Sequence, residues 1–229
     1  MRPRFVGRLG LADCVTVTNA ALGFAAAAFV LVDVATAARL VLLAAVADGL
    51  DGVLARATGG TPIGEYLDSL ADVASFGMAP ALFVFGVAVA AWGTDPGPRF
   101  ALAVIVPALF VGAAVVRLGL YTAYDAGESA TRGVQTTLAA TVLAVSYLAG
   151  LRDPWALLGA TALLAALMVT RVPYPDLYAR DAVAMGVVQV LAVAAPDALS
   201  RLFPKVLLVG ALAYLSLAPR FYWRDAEFE

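Results

Sequence analysis

Four aspartates in two neighbouring apolar stretches offer the clearest chemistry in this sequence. Asp48 and Asp51 are three residues apart, and Asp68 and Asp72 are four residues apart. On a helix, both spacings place the two carboxylates of a pair on one face. Because only a short segment joins the two stretches, the helices would be antiparallel neighbours, and we expect all four carboxylates to converge at one depth.

A cluster of four carboxylates at a membrane boundary is costly unless its charge is neutralised. The sequence contains no histidine, and its one lysine is far from the cluster. The expected neutraliser is therefore a divalent cation with oxygen ligands, Mg²⁺ or Mn²⁺. Four carboxylates could hold two such ions, which would clamp a phosphoryl group.

Glycines on the same helical faces favour a ligand that comes close to the backbone. Gly52 lies four residues after Asp48, and Gly64 lies four residues before Asp68. The missing side chains let a ligand approach the helix surface, and Arg56, one turn beyond Gly52, could bind a phosphate oxygen. The alternative is that the aspartates are helix caps or interfacial charges and that the glycines serve helix packing.

The residue types that are scarce exclude several classes of enzyme. Without histidine the chain cannot form a Ser-His-Asp triad or a histidine zinc site. Cys14, the one cysteine, permits no intrachain disulfide, and Lys205, the one lysine, stands outside any P-loop sequence. A net charge of −2 and a pI of about 5.1 provide no basic surface, so no nucleic-acid partner is expected.

The composition predicts the elements that must position these residues. Of 229 residues, 62% are hydrophobic and 14% are charged, whereas about 25% are charged in soluble domains. We therefore expect an all-α fold, a polytopic membrane helical bundle that forms one domain over residues 1–229. About eight spans, six core spans plus two, are predicted near 15–32, 36–57, 63–93, 100–120, 134–150, 155–170, 182–196 and 204–219.

Three further features refine this prediction. Residues 1–11 carry arginines among apolar residues, which indicates a short N-terminal interfacial helix. The stretch 63–93 is too long for one straight span and contains Gly77 and Pro80, so we expect a kink there. Ten Lys and Arg residues fall on the side of the N-terminus and five on the other side. This bias predicts cytoplasmic N- and C-termini in the cell membrane, with the aspartate cluster facing the cytoplasm.

The segment 48–72 resembles the signature of the CDP-alcohol phosphotransferase family, D-x2-D-G-x2-A-R-x8-G-x3-D-x3-D. The matching residues are Asp48, Asp51, Gly52, Ala55, Arg56, Gly64, Asp68 and Asp72. Seven residues rather than eight separate Arg56 from Gly64, and we interpret the difference as a shorter loop between the two helices.

The resemblance implies a role for each of these residues. Asp48, Asp51 and Asp68 would be ligands of two Mg²⁺ or Mn²⁺ ions, and Asp72 would be both a ligand and the general base. Asp72 would take the proton of an alcohol hydroxyl that attacks the lipid-linked phosphorus of a CDP-lipid, and CMP would leave. The resemblance also implies a homodimer. The residues expected to contact the CDP-lipid are Gly52, Arg56, Thr61, Thr16 and Asn19.

The residues that follow Asp68 favour L-serine as the acceptor alcohol. They read DSLADVASFG, which is similar to the pattern D-S-x-A-D-x2-S-F-G of the phosphatidylserine synthase branch of the family. The lipid would be CDP-diacylglycerol or, for an archaeal source, CDP-archaeol. Candidate acceptor contacts are Ser75, Arg117, Arg132 and Gln135. Arg117 is equally well explained as a topology anchor, and Arg132 and Gln135 as loop and interface residues.

Other functions are compatible with parts of this pattern. The same chemistry could use a glycerol- or inositol-type acceptor. A membrane cation transporter could use the acidic cluster for ion passage, but its acidic residues would be spread across the membrane depth or through inverted repeats. An inactive scaffold would not require all four aspartates.

Overall fold

The computed structural model describes residues 7–125 and 130–222, which form an almost entirely helical bundle. Each predicted apolar stretch coincides with one helix, so the all-α prediction is confirmed. Two three-residue strands, β1 (Ala130–Arg132) and β2 (Pro173–Pro175), pair antiparallel and were not predicted. The helices are α1 (Leu11–Phe29), α2 (Val34–Thr58), α3 (Gly64–Trp92), α4 (Pro98–Asp125), α5 (Thr136–Ala149), α6 (Pro154–Met168), α7 (Ala179–Ala194) and α8 (Ala198–Phe221).

Local sequence signals set the ends of the helix that carries the first aspartate pair. The side chain of Asp33 accepts hydrogen bonds from the backbone amides of Ala35 and Thr36, which caps the N-terminus of α2. Helix α2 ends at Thr58 and is followed by the capping residue Gly59, whose φ of +81° favours glycine. Since α3 begins at Gly64, the residue missing from the signature falls in the loop 59–63. Both aspartate pairs therefore remain on regular helix.

Helix α3 contains a π-helical stretch, Val73–Met78, directly after Asp72. Pro80 has no amide hydrogen, and its ring displaces the carbonyl group four residues earlier, so a wider turn at this point accommodates the proline. The irregularity lies where Gly77 and Pro80 predicted a kink. Gly23 of α1 packs against the same stretch, and a Cβ atom added to it would lie 2.7 Å from the Cα atom of Ser75.

The surface of the bundle suits lipid rather than water. Helices α1, α3, α4 and α8 are long and apolar enough to cross a membrane. Large apolar side chains stand exposed on them, among them Phe24, Leu109 and Val209, although soluble monomers rarely expose wide apolar surface. Buried alanines instead fill the helix interfaces, as small residues do in membrane bundles. These features identify an integral membrane protein.

The N-terminal residues and helix α7 flank the core of this bundle. The predicted N-terminal interfacial helix falls on residues 1–6, which lie outside the described residues, and on residues 7–10, which are not helical. Near the other end, α7 is fixed against α2 by two side-chain hydrogen bonds. Arg39 Nε donates to the carbonyl oxygen of Val193 at 2.7 Å, and Gln189 Nε2 donates to that of Leu42 at 2.8 Å.

Candidate active site

A cavity of about 760 Å³ opens among helix ends on one side of the bundle. Its walls come from the starts of α1, α3 and α5, the ends of α2 and α4, and the residues in and beside the two strands. Eight acidic residues and two arginines line it: Asp13, Asp48, Asp51, Glu65, Asp68, Asp72, Asp125 and Asp176, with Arg56 and Arg117. The cavity therefore carries a large excess of negative charge.

Three of the four predicted aspartates converge on one point of this cavity. One carboxylate oxygen from each of Asp48, Asp68 and Asp72 lies within 4.8 Å of the other two. Such oxygen atoms are the ligands that Mg²⁺ and Mn²⁺ prefer. Asp72 is 6% exposed, and its Oδ1 atom is buried without a hydrogen-bond partner among the described residues. A buried carboxylate oxygen without a partner is costly, and a bound cation would satisfy it, so the residues fit a divalent metal ion.

Two threonines of the first turn of α5 face these aspartates. Thr136 Oγ1 donates to Asp72 Oδ2, and Thr137 Oγ1 donates to Asp48 Oδ2, each across 3.4 Å. Both bonds are long for a hydroxyl donor. They orient the two carboxylates and leave the remaining lone pairs of the carboxylate oxygens for a ligand.

The fourth aspartate, Asp51, lies in the same cavity but outside that group of three. Its Oδ2 atom accepts a hydrogen bond of 2.7 Å from Thr16 Oγ1. Thr16 is a predicted CDP-lipid contact on α1, and this bond ties α1 to the aspartate helix at the cavity wall. The bond also fixes the orientation of the Asp51 carboxylate.

The predicted phosphate-binding residues line the cavity beside Asp51. The Arg56 side chain folds back over Gly52, where an added Cβ would lie 3.5 Å from Nη1. Thr61 Oγ1 donates to Asp13 Oδ2 at 2.9 Å, and that oxygen also accepts from the Gly10 amide at 2.8 Å. Asp13 therefore holds the loop 59–63 against the start of α1.

Arg117 lies near the end of α4 and is only 6% exposed. Its Nη2 atom donates to Thr131 Oγ1 at 3.0 Å, and its guanidinium lies 5.0 Å from the centre of the Tyr121 ring. Its Nε atom is buried without a partner, and no carboxylate forms an ion pair with it in the part of the chain that the structure describes. A buried guanidinium in this state is suited to an anionic ligand.

Three predicted contact residues do not line the cavity. Asn19 is fully buried one turn deeper in α1, with no partner for its side-chain amide among the described residues. Ser75 is also fully buried and donates to the Asn19 carbonyl oxygen at 2.8 Å. Arg132 is exposed on β1, where its backbone amide donates to Asp125 Oδ2 at 3.3 Å. The structure thus places Ser75 in a helix contact. Gln135, another candidate acceptor contact, does line the cavity.

Several residues that line the cavity or bond its aspartates were not predicted as site residues. Thr136, which bonds Asp72, and Thr137, which lines the cavity, follow directly after Gln135, so their position beside a predicted contact was a usable signal. Asp176 enters the cavity wall because of the pairing of two three-residue strands, for which the sequence carries no signal. The remaining polar residues in this group are Asp13, Glu65, Tyr121, Asp125 and Thr131.

Comparison with known proteins defines the class of enzyme. The family model described as CDP-alcohol phosphatidyltransferase matches residues 9–173, a range that includes the helix ends around the three converging aspartates. The chain belongs to this family, so the resemblance in segment 48–72 is confirmed, and it is a transferase.

Two curated proteins are similar in sequence to this chain. The chain is 30% identical over 171 residues to an archaetidylserine synthase of Methanothermobacter thermautotrophicus, across 73% of this chain and 70% of that protein. It is 48% identical over 50 residues to a CDP-diacylglycerol--serine O-phosphatidyltransferase of Mycobacterium leprae, across 21% of this chain and 17% of that protein. The names of both relatives include serine.

Proposed function

We propose that this protein transfers the phosphatidyl-type group of a CDP-lipid to the hydroxyl group of L-serine and releases CMP. The family supports the reaction type, and the two relatives are named archaetidylserine synthase and CDP-diacylglycerol--serine O-phosphatidyltransferase. The lipid substrate is CDP-diacylglycerol or CDP-archaeol. The observation that carries the choice of acceptor is the charge of the cavity.

The charged residues of the cavity favour an acceptor that carries an ammonium group. Eight carboxylates face two guanidinium groups, and two divalent cations would still leave an excess of negative charge. A phosphorylated acceptor would add further negative charge to this environment, which raises its free energy of binding. L-Serine adds no net charge, and its ammonium group would interact favourably with the excess carboxylates.

Asp48, Asp68 and Asp72 are proposed to hold a divalent metal ion, Mg²⁺ or Mn²⁺. Asp51 lies in the same cavity and is proposed to complete a site for two ions. When bound, the ions supply positive charge that stabilises the phosphate oxygens during transfer. The buried, unpartnered Oδ1 atom of Asp72 supports this assignment.

Asp72 is proposed as the general base. It would accept the proton of the serine hydroxyl while the serine oxygen forms a bond to the lipid-linked phosphorus. The bond from that phosphorus to the CMP oxygen would break, and CMP would carry away the negative charge. The Thr136 hydroxyl, which donates to Asp72 Oδ2, would keep the carboxylate aimed at the cavity.

The remaining predicted contacts divide between the two substrates. Arg56, beside Gly52, is proposed to bind a phosphate oxygen of the CDP-lipid, and Arg117 is proposed to bind the serine carboxylate. Thr16 and Thr61 are proposed to contact the nucleotide, and Gln135 is proposed to contact the acceptor, since all three line the cavity. Asn19, Ser75 and Arg132 lie outside the cavity lining and are assigned no substrate contact.

The arrangement in the membrane is also a proposal. We propose that the eight helices are eight spans within one domain, with both termini and the cavity on the cytoplasmic side of the cell membrane. The excess of arginine on this side supports the orientation. An N-terminal interfacial helix and a homodimer complete the proposed arrangement and rest on the sequence pattern and the family resemblance.

The proposed reaction is tested by CMP release from the purified protein. With CDP-diacylglycerol or CDP-archaeol and Mg²⁺ or Mn²⁺, we expect release that depends on L-serine and stops when the metal is chelated. Glycerol 3-phosphate, inositol and inositol phosphate serve as competing acceptors and should give less than about a hundredth of the serine rate, because a site built for particular polar groups rejects analogues strongly. Release with one of these acceptors instead would refute the choice of serine, and no release with any pair would favour transport or scaffolding.

A substitution of Arg117 tests its proposed contact with the serine carboxylate. Arg117→Met keeps much of the side-chain volume and removes the charge. We expect kcat/KM for L-serine to fall at least about tenfold, because a hydrogen bond to a charged group contributes about 1.5–3 kcal/mol. Ethanolamine, which lacks the carboxylate, should lose less than about threefold in kcat/KM. Equal losses for the two acceptors would instead assign Arg117 to the lipid phosphates or to the fold.

A further inference from the structure

We infer that Asp176 is a specificity-determining residue that binds the ammonium group of the acceptor amino acid. A clasp of four tyrosines holds it in the cavity wall: Tyr174, Tyr178, Tyr214 and Tyr222. The inference rests on the proposed function and assigns a second substrate contact beside that of Arg117.

The strand pair brings Asp176 into the cavity. Asp176 directly follows β2 and lines the cavity wall. In the pairing of β2 with β1, Tyr174 stands opposite Thr131 and Pro175 opposite Ala130. Asp176 therefore enters the cavity at the end of a short sheet whose other strand belongs to the same wall.

The same sheet connects Asp176 with Arg117. Thr131, the partner of Tyr174, accepts the hydrogen bond from Arg117 Nη2 at 3.0 Å. Tyr121, whose ring centre is 5.0 Å from the Arg117 guanidinium, lines the same cavity as Asp176. One wall of the cavity thus presents a buried cation and a carboxylate, which matches the carboxylate and the ammonium group of a zwitterionic amino acid.

The tyrosine clasp fixes the backbone on both sides of this carboxylate. Tyr214 of α8 donates to the carbonyl oxygen of Pro175 at 2.6 Å, and Tyr174 donates to that of Leu215 at 3.1 Å. Farther along, the Tyr222 hydroxyl donates to Asp181 and accepts from the Tyr178 amide. The segment that carries Asp176 is therefore bound to α8, and a carboxylate on a fixed backbone loses less entropy when it binds a ligand.

Asp176 lies outside the part of the chain that the family model matches. The family model matches residues 9–173, whereas Asp176, Tyr214 and the rest of α8 lie beyond that range. The four aspartates of the signature lie within that range. Recognition of the ammonium group would thus be supplied by a part of the chain that is added to the common fold.

The test compares two acceptors that differ only in the ammonium group. L-Serine and 3-hydroxypropionate share the hydroxyl and the carboxylate, and CMP release is measured for both with the full-length protein at saturating CDP-lipid. In Asp176→Asn we expect KM for L-serine to rise about tenfold or more with kcat changed less than about threefold, as for a lost charged hydrogen bond. The kcat/KM for 3-hydroxypropionate should stay within about twofold of wild type, which also reports that the variant is folded.

Two further variants sharpen this test. Asp95→Asn removes an exposed carboxylate from the loop between α3 and α4, outside the cavity, and should leave the preference for L-serine over 3-hydroxypropionate within about twofold. Tyr214→Phe removes the hydroxyl bonded to Pro175 and should raise KM for L-serine about threefold, by loosening the segment that holds Asp176. A preference in Asp176→Asn equal to wild type would overturn the inference while serine transfer stands, as would an equal loss of preference in Asp95→Asn. If the wild-type protein releases no CMP with L-serine, the proposed function and this inference both fail.

Discussion

Asp72→Asn is expected to lower kcat for CMP release by at least about a thousandfold at saturating CDP-lipid and L-serine. A positioned general base contributes about 10²–10⁴ in rate, and Asp72 is also one of the three carboxylates that converge on the proposed metal site. Asparagine has nearly the same shape and can still accept the hydrogen bond from Thr136. The loss should therefore appear in kcat and not in the amount of folded protein.

Stability and a matched control separate chemistry from folding in this experiment. Without metal, Asp72→Asn should have a thermal midpoint equal to or above that of wild type, because a buried carboxylate beside two others is costly. Added Mg²⁺ or Mn²⁺ should raise the midpoint of wild type more than that of the variant. Asp95→Asn, which removes an exposed carboxylate from the loop between α3 and α4, should keep the wild-type rate. If Asp72→Asn retained more than about a tenth of that rate, Asp72 would not be the base.

The sequence was sufficient to predict the parts of the site that lie on regular helices. The spacing of Asp68 and Asp72 places both carboxylates on one face of α3, because helical geometry fixes which residues share a face. The short loop 59–63 then places α3 beside α2, so that the carboxylate of Asp48 on α2 lies close to those of Asp68 and Asp72. The position of Asp51, bonded to Thr16, depends on how α1 packs, which periodicity does not specify.

Contacts made by irregular segments were beyond sequence reasoning. Asp176 reaches the cavity only because β1 and β2 pair, and three-residue strands carry no alternation long enough to detect. The Arg132 side chain was a reasonable candidate from its position near Gly133, but the pairing leaves it exposed while Thr131 faces Arg117. In a strand, a shift of one residue reverses which side chain faces the site.

The two predictions made for helix α1 show a different limit of sequence patterns. The pattern formed by Thr16 and Asn19 predicted two nucleotide contacts, and three residues on a helix do share one face. The helix, however, descends from the cavity wall into the bundle. Thr16 lies at the level of Asp51, whereas Asn19 lies one turn deeper at the level of Ser75. A sequence pattern specifies the face of a helix and does not specify its depth relative to a cavity.

Gly133→Ala is expected to cause the largest loss of stability among single methyl additions near the site. Gly133 has φ +77°, and an added Cβ would lie 2.1 Å from the carbonyl oxygen of Met168. That oxygen belongs to the backbone at the end of α6 and cannot rotate away, so the segment between β1 and α5 must shift. Backbone strain of this kind costs about 1–3 kcal/mol before the collision is counted, and we expect the midpoint of thermal inactivation to fall by at least about 5 °C.

The same substitution should weaken the binding of serine. Gly133 lies between the strand β1 and helix α5, and its backbone helps to position the proposed acceptor-binding residues. Its amide donates to the carbonyl oxygen of Val172 at 2.8 Å, and Thr131, two residues earlier, accepts from Arg117. We expect KM for L-serine to rise at least fivefold or so at a temperature where the variant is still folded. Gly159→Ala adds the same methyl group to α6, where nothing lies within 4 Å of the added atom. This control should leave KM for L-serine unchanged and should not lower the midpoint of thermal inactivation. A Gly133→Ala protein with wild-type stability and wild-type KM would mean that the strand pair does not position the acceptor site.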